Sequence, residues 1–299
     1  MQLFGELLRP IVAFAIATAL FGLVEWLGRR RASPPWKRAG FWTDSGWWML
    51  TPLATKAITR IGVGVAIFTI AWVSLGHPTD KEGLRAFVDR PTWASALPLP
   101  FEILLTLTVA DFVGYWIHRA FHRGWLWRSH AVHHSSERLD WLAAVRVHPI
   151  NDLLAGVTRV ALLVLLGFRP TVLAGIVPFS TFYAVLLHAN VPWSFGWVGR
   201  IIASPRFHRW HHAKHVSGDG ANFAGFFVLW DRLFGTFYLP SSEPAETGIA
   251  MPMPKSIWGQ LVYPFRKPDT KRVDRRSSEP IRSARPGIGI ANPELPTRD

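Results

Sequence analysis

The chain has 299 residues, 49% of them hydrophobic and 18% charged, with a formal net charge of +13 and no cysteine. Without a thiol it forms no disulfide, zinc ribbon, thiolate-held iron–sulfur cluster or cysteine nucleophile. The basic excess lies beside apolar stretches (Arg29, Arg30, Arg31, Lys37, Arg38) and in the C-terminal tail, without any helix-turn-helix or RNA-binding pattern. It therefore points to anionic lipid and not to nucleic acid.

In chain order, the first apolar stretch is Ile11–Leu27, within the roughly 17–25 residues that cross a bilayer. It lacks a basic leader and a small-residue cleavage site, and Arg29–Arg31 follow it, so it reads as an anchor and not a signal peptide. Ala57–Leu75 and Phe101–Ile117 are the second and third stretches, and Leu153–His188 is a fourth, too long for one crossing. Gly167-Phe-Arg-Pro170 supplies a turn near its middle, which predicts a helical hairpin. All four are apolar on every side, so membrane helices are a better reading than a soluble amphipathic bundle. The expected fold is all-α: an integral membrane helical bundle of about four to five transmembrane segments. Residues 1–99 form the anchor helices and loops, 100–240 the catalytic unit, and 241–299 a basic tail rich in Pro, Arg, Ser and Glu that reads as disordered. Gly62/Gly64 and Gly287–Gly289 have no strand–loop–helix context and are not nucleotide loops.

Twelve histidines are present, and eleven fall between His118 and His215, leaving only His77 elsewhere. The positive-inside rule puts the loop 29–38 in the cytoplasm. Counting crossings from there, with the hairpin as two, brings all eleven to the cytoplasmic face. His118-Arg-Ala-Phe-His122 is an HxxxH pair on one helical face, and His130-Ala-Val-His133-His134 and His208-Arg-Trp-His211-His212 are two HxxHH repeats. So many imidazoles together repel if charged and need partners if buried and neutral. Metal supplies those partners, and this many nitrogen donors exceeds what one first-row ion accepts, so two ions are implied. Imidazole suits iron, zinc or copper, and HExxH is absent, which argues against a zincin protease.

From Asp111 to Tyr238 the chain resembles the fatty acid hydroxylase/sterol desaturase superfamily. The matching pieces are Asp111-x3-Tyr115-Trp-Ile-His118-Arg-Ala-Phe-His122, Leu126-Trp-Arg-Ser-His130-Ala-Val-His133-His134-Ser, His188-Ala-Asn190, Ser204-Pro-Arg-Phe-His208-Arg-Trp-His211-His212, Asn222-Phe-Ala-Gly225 and Trp230-Asp-Arg-Leu-Phe-Gly-Thr-Phe237. The resemblance implies a cytosol-facing di-iron site that uses O2 to hydroxylate or desaturate a lipid C–H bond. The lipid would be a sterol, a fatty acyl chain or a related isoprenoid or ether lipid. It implies His118, His122, His130, His133, His134, His188, His208, His211 and His212 as ligands. His148, in Val-His-Pro, matches a family His-Pro that is either ligand or supporting residue; His215 departs from the pattern and, if it is not a ligand, contacts lipid headgroup or solvent.

Asp111, a carboxylate within an apolar run, is expected either to orient an imidazole or to form a helix-packing hydrogen bond. Asn190, Asp219 and Asn222 are further supporting candidates, and Asp231 and Arg232 are expected to brace the fold. Trp47, Trp48, Trp125 and Trp127 read as an interfacial belt. No cytochrome b5-like, flavin or ferredoxin module is visible, so electrons are expected from a separate reductase or carrier protein. The rival readings are a histidine-rich membrane metal-binding or transport protein, and a membrane metallohydrolase. The first requires polar groups along a conducting path, which are scarce; the second requires carboxylates in the cluster, which are few.

Overall fold

The computed structural model describes residues 2–28, 37–76, 80–216 and 220–266. Arg29–Arg31, His77, Asp219, Gly287–Gly289 and the tail beyond Arg266 lie outside the described residues.

Helix α1 runs Gln2–Gly28. Helix α2 (Phe41–Leu50) continues through a π-helical stretch, Thr51–Thr55, into α3 (Lys56–Leu75). Pro52, with no N–H to give, sits where the hydrogen-bond register widens. Together they form one 35-residue rod. A short α4 (Lys81–Val88) is capped by Asp80, whose carboxylate accepts from Gly83 N at 2.8 Å. Helix α5 (Leu99–Phe121) leads directly into α6 (Gly124–His134). Helices α7 (Pro149–Leu165) and α8 (Pro170–His188) form the expected hairpin. Its turn is Gly167, at φ +89°, where a Cβ would lie 2.6 Å from Trp93 Nε1. The Trp93 indole N–H bonds the Leu166 carbonyl across the same turn, and Arg169 pairs with buried Glu102 of α5. Helices α9 (Pro205–His211), α10 (Leu229–Leu233) and α11 (Ile257–Val262) complete the described chain, which contains no strand.

Four helical segments are long and apolar enough to cross a membrane: Pro10–Gly28, Phe41–Leu75, Leu99–Phe121 and Pro170–His188. Only 11–28% of each is buried in the protein, so most of their apolar surface faces outward, as lipid-facing helices require. Inside the bundle the helices meet through small residues. A Cβ on Gly62 of α3 would fall 2.4 Å from Leu153 Cδ1 of α7, which accounts for that glycine as a packing contact.

Two expectations change. Disorder was placed from Ser241 onward, yet residues 241–266 are built into the fold: α11 presents Gln260 to the Trp47 indole N–H at 2.7 Å, and Leu261 carbonyl accepts from His148. Polar composition hid this because the contacts are hydrogen bonds and not an apolar stripe. The tryptophan belt also shrinks. Trp125 is exposed, but Trp47 is fully buried, Trp48 donates to the Leu142 carbonyl, and Trp127 packs on His122 at 4.9 Å.

Candidate metal centre

The ends of α5, α6, α8 and α9 converge, and nine imidazoles meet there. His118, His122, His130, His134 and His211 form one group, and His133, His188, His208 and His212 a second, with ligand atoms within 4.8 Å of one another in each. All are buried except His118, which is half-buried.

Helix geometry sorts the rings between the two groups. In each HxxHH repeat, residues i and i+4 lie about 40° apart around the helix while i+3 points roughly 100° away from i+4. His130 and His134 therefore enter the first group and His133 the second; His208 and His212 enter the second and His211 the first. The adjacent rings stand nearly perpendicular, at 86° for His133 and His134 and 88° for His211 and His212. Each repeat thus feeds both groups. His134 and His212 stack at 4.3 Å where the groups adjoin.

The other ring nitrogens show what these groups are built for. His118 Nδ1–H donates to the Phe223 carbonyl at 2.8 Å, His211 to Ala221 at 2.7 Å, His188 to Ala184 at 2.7 Å and His133 to Arg146 at 3.3 Å. His130 Nδ1–H donates to Asn151 Oδ1 at 2.9 Å. An oxygen acceptor leaves the proton on Nδ1, so Nε2 of these five rings carries only a lone pair. Yet His118 and His130 bring their Nε2 atoms to 3.0 Å, and His133 and His188 theirs to 3.2 Å. Facing lone pairs at that distance repel, once in each group. Protonation would relieve it, but burial holds His130, His133, His134, His208, His211 and His212 well below the usual imidazole range. A cation in each group relieves it fully. Two nitrogens about 2.0–2.1 Å from one ion, at roughly right angles, stand about 3 Å apart. The residues therefore fit two metal ions, with backbone carbonyls orienting the rings as supporting partners do in metal sites.

The remaining candidates fall outside both groups. His148 caps α7: its Nδ1 accepts from Ile150 N at 3.1 Å and its Nε2–H donates to the Leu261 carbonyl at 2.9 Å, so neither nitrogen is open to a metal. His215 is exposed against the edge of Trp210. Asp111 touches no imidazole. Its Oδ2 accepts from Phe227 N at 2.7 Å and Trp230 Nε1 at 3.0 Å, which is the packing alternative; the Nδ1 of His118, on the same helix, is taken by the Phe223 carbonyl. Asn190 donates its backbone N–H to buried Glu25 and borders a polar cavity of about 520 Å³ with Arg209 and Lys214. Asn222, at φ +59°, donates to the Phe207 and Tyr238 carbonyls and accepts from Tyr238 N. It thereby fixes the segment whose neighbouring carbonyls hold His118 and His211. Asp231 braces that segment through Phe223 N and Ala224 N, both at 2.8 Å. Arg232 is exposed and lies over the Phe237 ring.

Asn151 was not among the sequence candidates. Its signal was the one side-chain amide of a largely apolar helix, placed in the first turn. The buried pairing of Arg38 and Arg146 with Asp44 and Asp140 was also missed; it carries the Arg146 carbonyl that holds His133.

Residues 103–236 match the family described as fatty acid hydroxylase. A very-long-chain aldehyde decarbonylase from Oryza sativa subsp. indica is 30% identical over 60% of this chain and 68% of its own length. The chain belongs to the fatty acid hydroxylase superfamily. Other members similar to it are an ornithine lipid hydroxylase from Rhizobium tropici (35% identical; 60% of this chain, 55% of that protein) and an alkylglycerol monooxygenase from Xenopus tropicalis (30%; 82% and 50%). The chain spans about half the length of these two relatives. No solved structure matches. As a superfamily member with four apolar spans, it is an integral membrane protein.

Proposed function

We propose that this superfamily member is an O2-dependent di-iron oxidoreductase that hydroxylates or desaturates a C–H bond of a membrane lipid. The observation that carries the reading is the pair of imidazole groups, each with lone pairs facing at 3.0–3.2 Å, at the ends of membrane-length helices. The named relatives, an ornithine lipid hydroxylase and alkylglycerol monooxygenases, support lipid oxidation. The nine clustered histidines would be the ligands, and the iron pair would supply O2 activation and C–H cleavage.

The chain's own part is positional. Phe223, Ala221, Ala184 and Arg146 carbonyls and the Asn151 amide hold five rings with Nε2 inward, so no reorganisation precedes binding of a cation. Burial keeps water from the rings, and the outward apolar spans deliver substrate from the bilayer. Hydroxylation places one oxygen atom of O2 in the lipid and reduces the other to water with two electrons and two protons. Those electrons would come from a separate reductase or carrier protein, since without cysteine this stretch of chain holds no thiolate-bound iron–sulfur cluster to supply them. The site faces the cytoplasm, of a bacterial inner membrane or an endoplasmic reticulum, by the positive-inside rule.

The test is lipid extraction from cells expressing the chain under isotopically heavy O2. A lipid gaining the heavy label, or losing two hydrogens, only when the chain is present is the expected result. An unchanged lipid profile, with a purified protein that binds zinc and consumes no O2 with any reductant, would overturn it. A metal-transport reading finds no support in the ligand placement, which is at one end of the bundle and not along a path.

A further inference from the structure

Arg159 lies in α7, among apolar residues, on the side that meets α5. Its Nη2 sits over the backbone of Gly114, where a Cβ would be 3.1 Å away. Gly114 is four residues before His118 on α5, about 6 Å along the helix. From the other helix the position agrees: Asn151, which holds His130, lies eight residues before Arg159, and side chains on a helix lean toward its N-terminus. The guanidinium thus stands roughly one helical turn from the first imidazole group, on the membrane side.

A guanidinium at such depth is costly and is normally paired. Arg159 has no hydrogen bond or ion pair among the described residues, and its Nε is sealed from solvent without a partner. The acidic groups near enough to influence it, Asp111 and Asp152, are engaged elsewhere. Asp152 holds Lys56 Nζ and Thr59 Oγ1, both at 2.6 Å, and Asp111 Oδ2 holds Phe227 N and Trp230 Nε1. The residue as a whole is half-buried, and of its unpartnered guanidinium nitrogens only Nε is sealed from solvent.

We infer that Arg159 is the anchor for an oxygen-bearing group of the lipid, a carboxylate or carbonyl, and so sets which carbon approaches the metal site. An acceptor held one turn from the imidazoles leaves room for only a few bonds between it and the carbon at the centre. Oxidation is therefore directed near the polar end of the lipid and not along a remote chain. This goes beyond the proposed oxygenase reading and rests on it only for what happens after the ligand binds.

The test is equilibrium binding under argon, so that nothing turns over, to the metal-loaded full chain in detergent. The probes are hexadecanoate and hexadecane, each competing with a spin-labelled stearate read by electron paramagnetic resonance. The chain should prefer hexadecanoate by roughly ten- to a hundredfold, the worth of a charge-assisted hydrogen bond. Arg159→Met should abolish the preference at unchanged metal content, and Arg159→Lys should restore part of it. Should Arg159→Met misfold, Gly114→Ala keeps the charge but crowds the guanidinium and should still reduce the preference. An unmodified chain with no preference for the carboxylate overturns the inference, as does a preference that survives Arg159→Met or Gly114→Ala. A preference lost on substitution in a protein that consumes no O2 would leave this anchor standing and remove the oxygenase reading alone.

Discussion

At the residue scale, the division of each HxxHH repeat makes a prediction that a simple count of histidines does not. His133→Gln and His188→Gln should each deplete the second ion and spare the first, whereas His134→Gln and His211→Gln should do the reverse. Metal analysis of the four purified variants, with spectra to show which ion remains, checks this; equal loss from both sites in all four would contradict it. His148→Ala should leave both ions in place, because both ring nitrogens are already bonded. Asn151 acts through His130. Asn151→Ala frees that ring to rotate and should weaken metal affinity roughly 10–100-fold, the usual effect of losing a supporting partner. A competition titration against a chelator measures it. Of these distinctions, the sequence carried the nine clustered imidazoles. It could not carry Asn151's role, since a contact across 21 positions is set by how α6 and α7 pack.

Elements decide whether the rings arrive oriented. The segment from Ala221 to Ala224 has no regular structure, yet two of its carbonyls hold His211 and His118. It is shaped by Asn222 from within and by the Asp231 carboxylate from α10. Asp231→Ala leaves two buried backbone N–H groups without an acceptor, a cost of roughly 2–4 kcal/mol. The variant should melt earlier and release metal from the first group more readily than from the second, which unfolding followed together with metal release would detect. The resemblance singled out the block from Trp230 to Phe237 and gave Asp231 a bracing role, but not the backbone N–H groups of Phe223 and Ala224 that it holds. The hairpin was different: excess length and Gly167-Phe-Arg-Pro170 predicted α7 and α8 without any tertiary knowledge. Asp111 was legible as a buried carboxylate while its partners were not, because Phe227 and Trp230, just before and within α10, lie more than a hundred residues away.

For the whole molecule, the spans were visible in hydropathy alone, while the packing of residues 241–266 depended on hydrogen bonds to α2 and to His148. The buried imidazoles also tie stability to pH. His130, His133, His134, His208, His211 and His212 have folded values depressed by burial below the ordinary 6.5. The unfolded chain then binds more protons, so stability rises with pH: it is full above about 6.5 and is lost as pH falls from there toward the depressed folded values. Metal-depleted protein should therefore melt progressively earlier on acidification below pH 6.5, and a flat or opposite profile would count against a neutral imidazole cluster. The central claim is that nine imidazoles hold two ions and that the ions are iron. Metal analysis of the full chain, purified in detergent from iron-replete cells, tests it most directly. The account predicts two irons per chain, falling to one in His188→Gln; a chain carrying zinc, or a single ion, would contradict it.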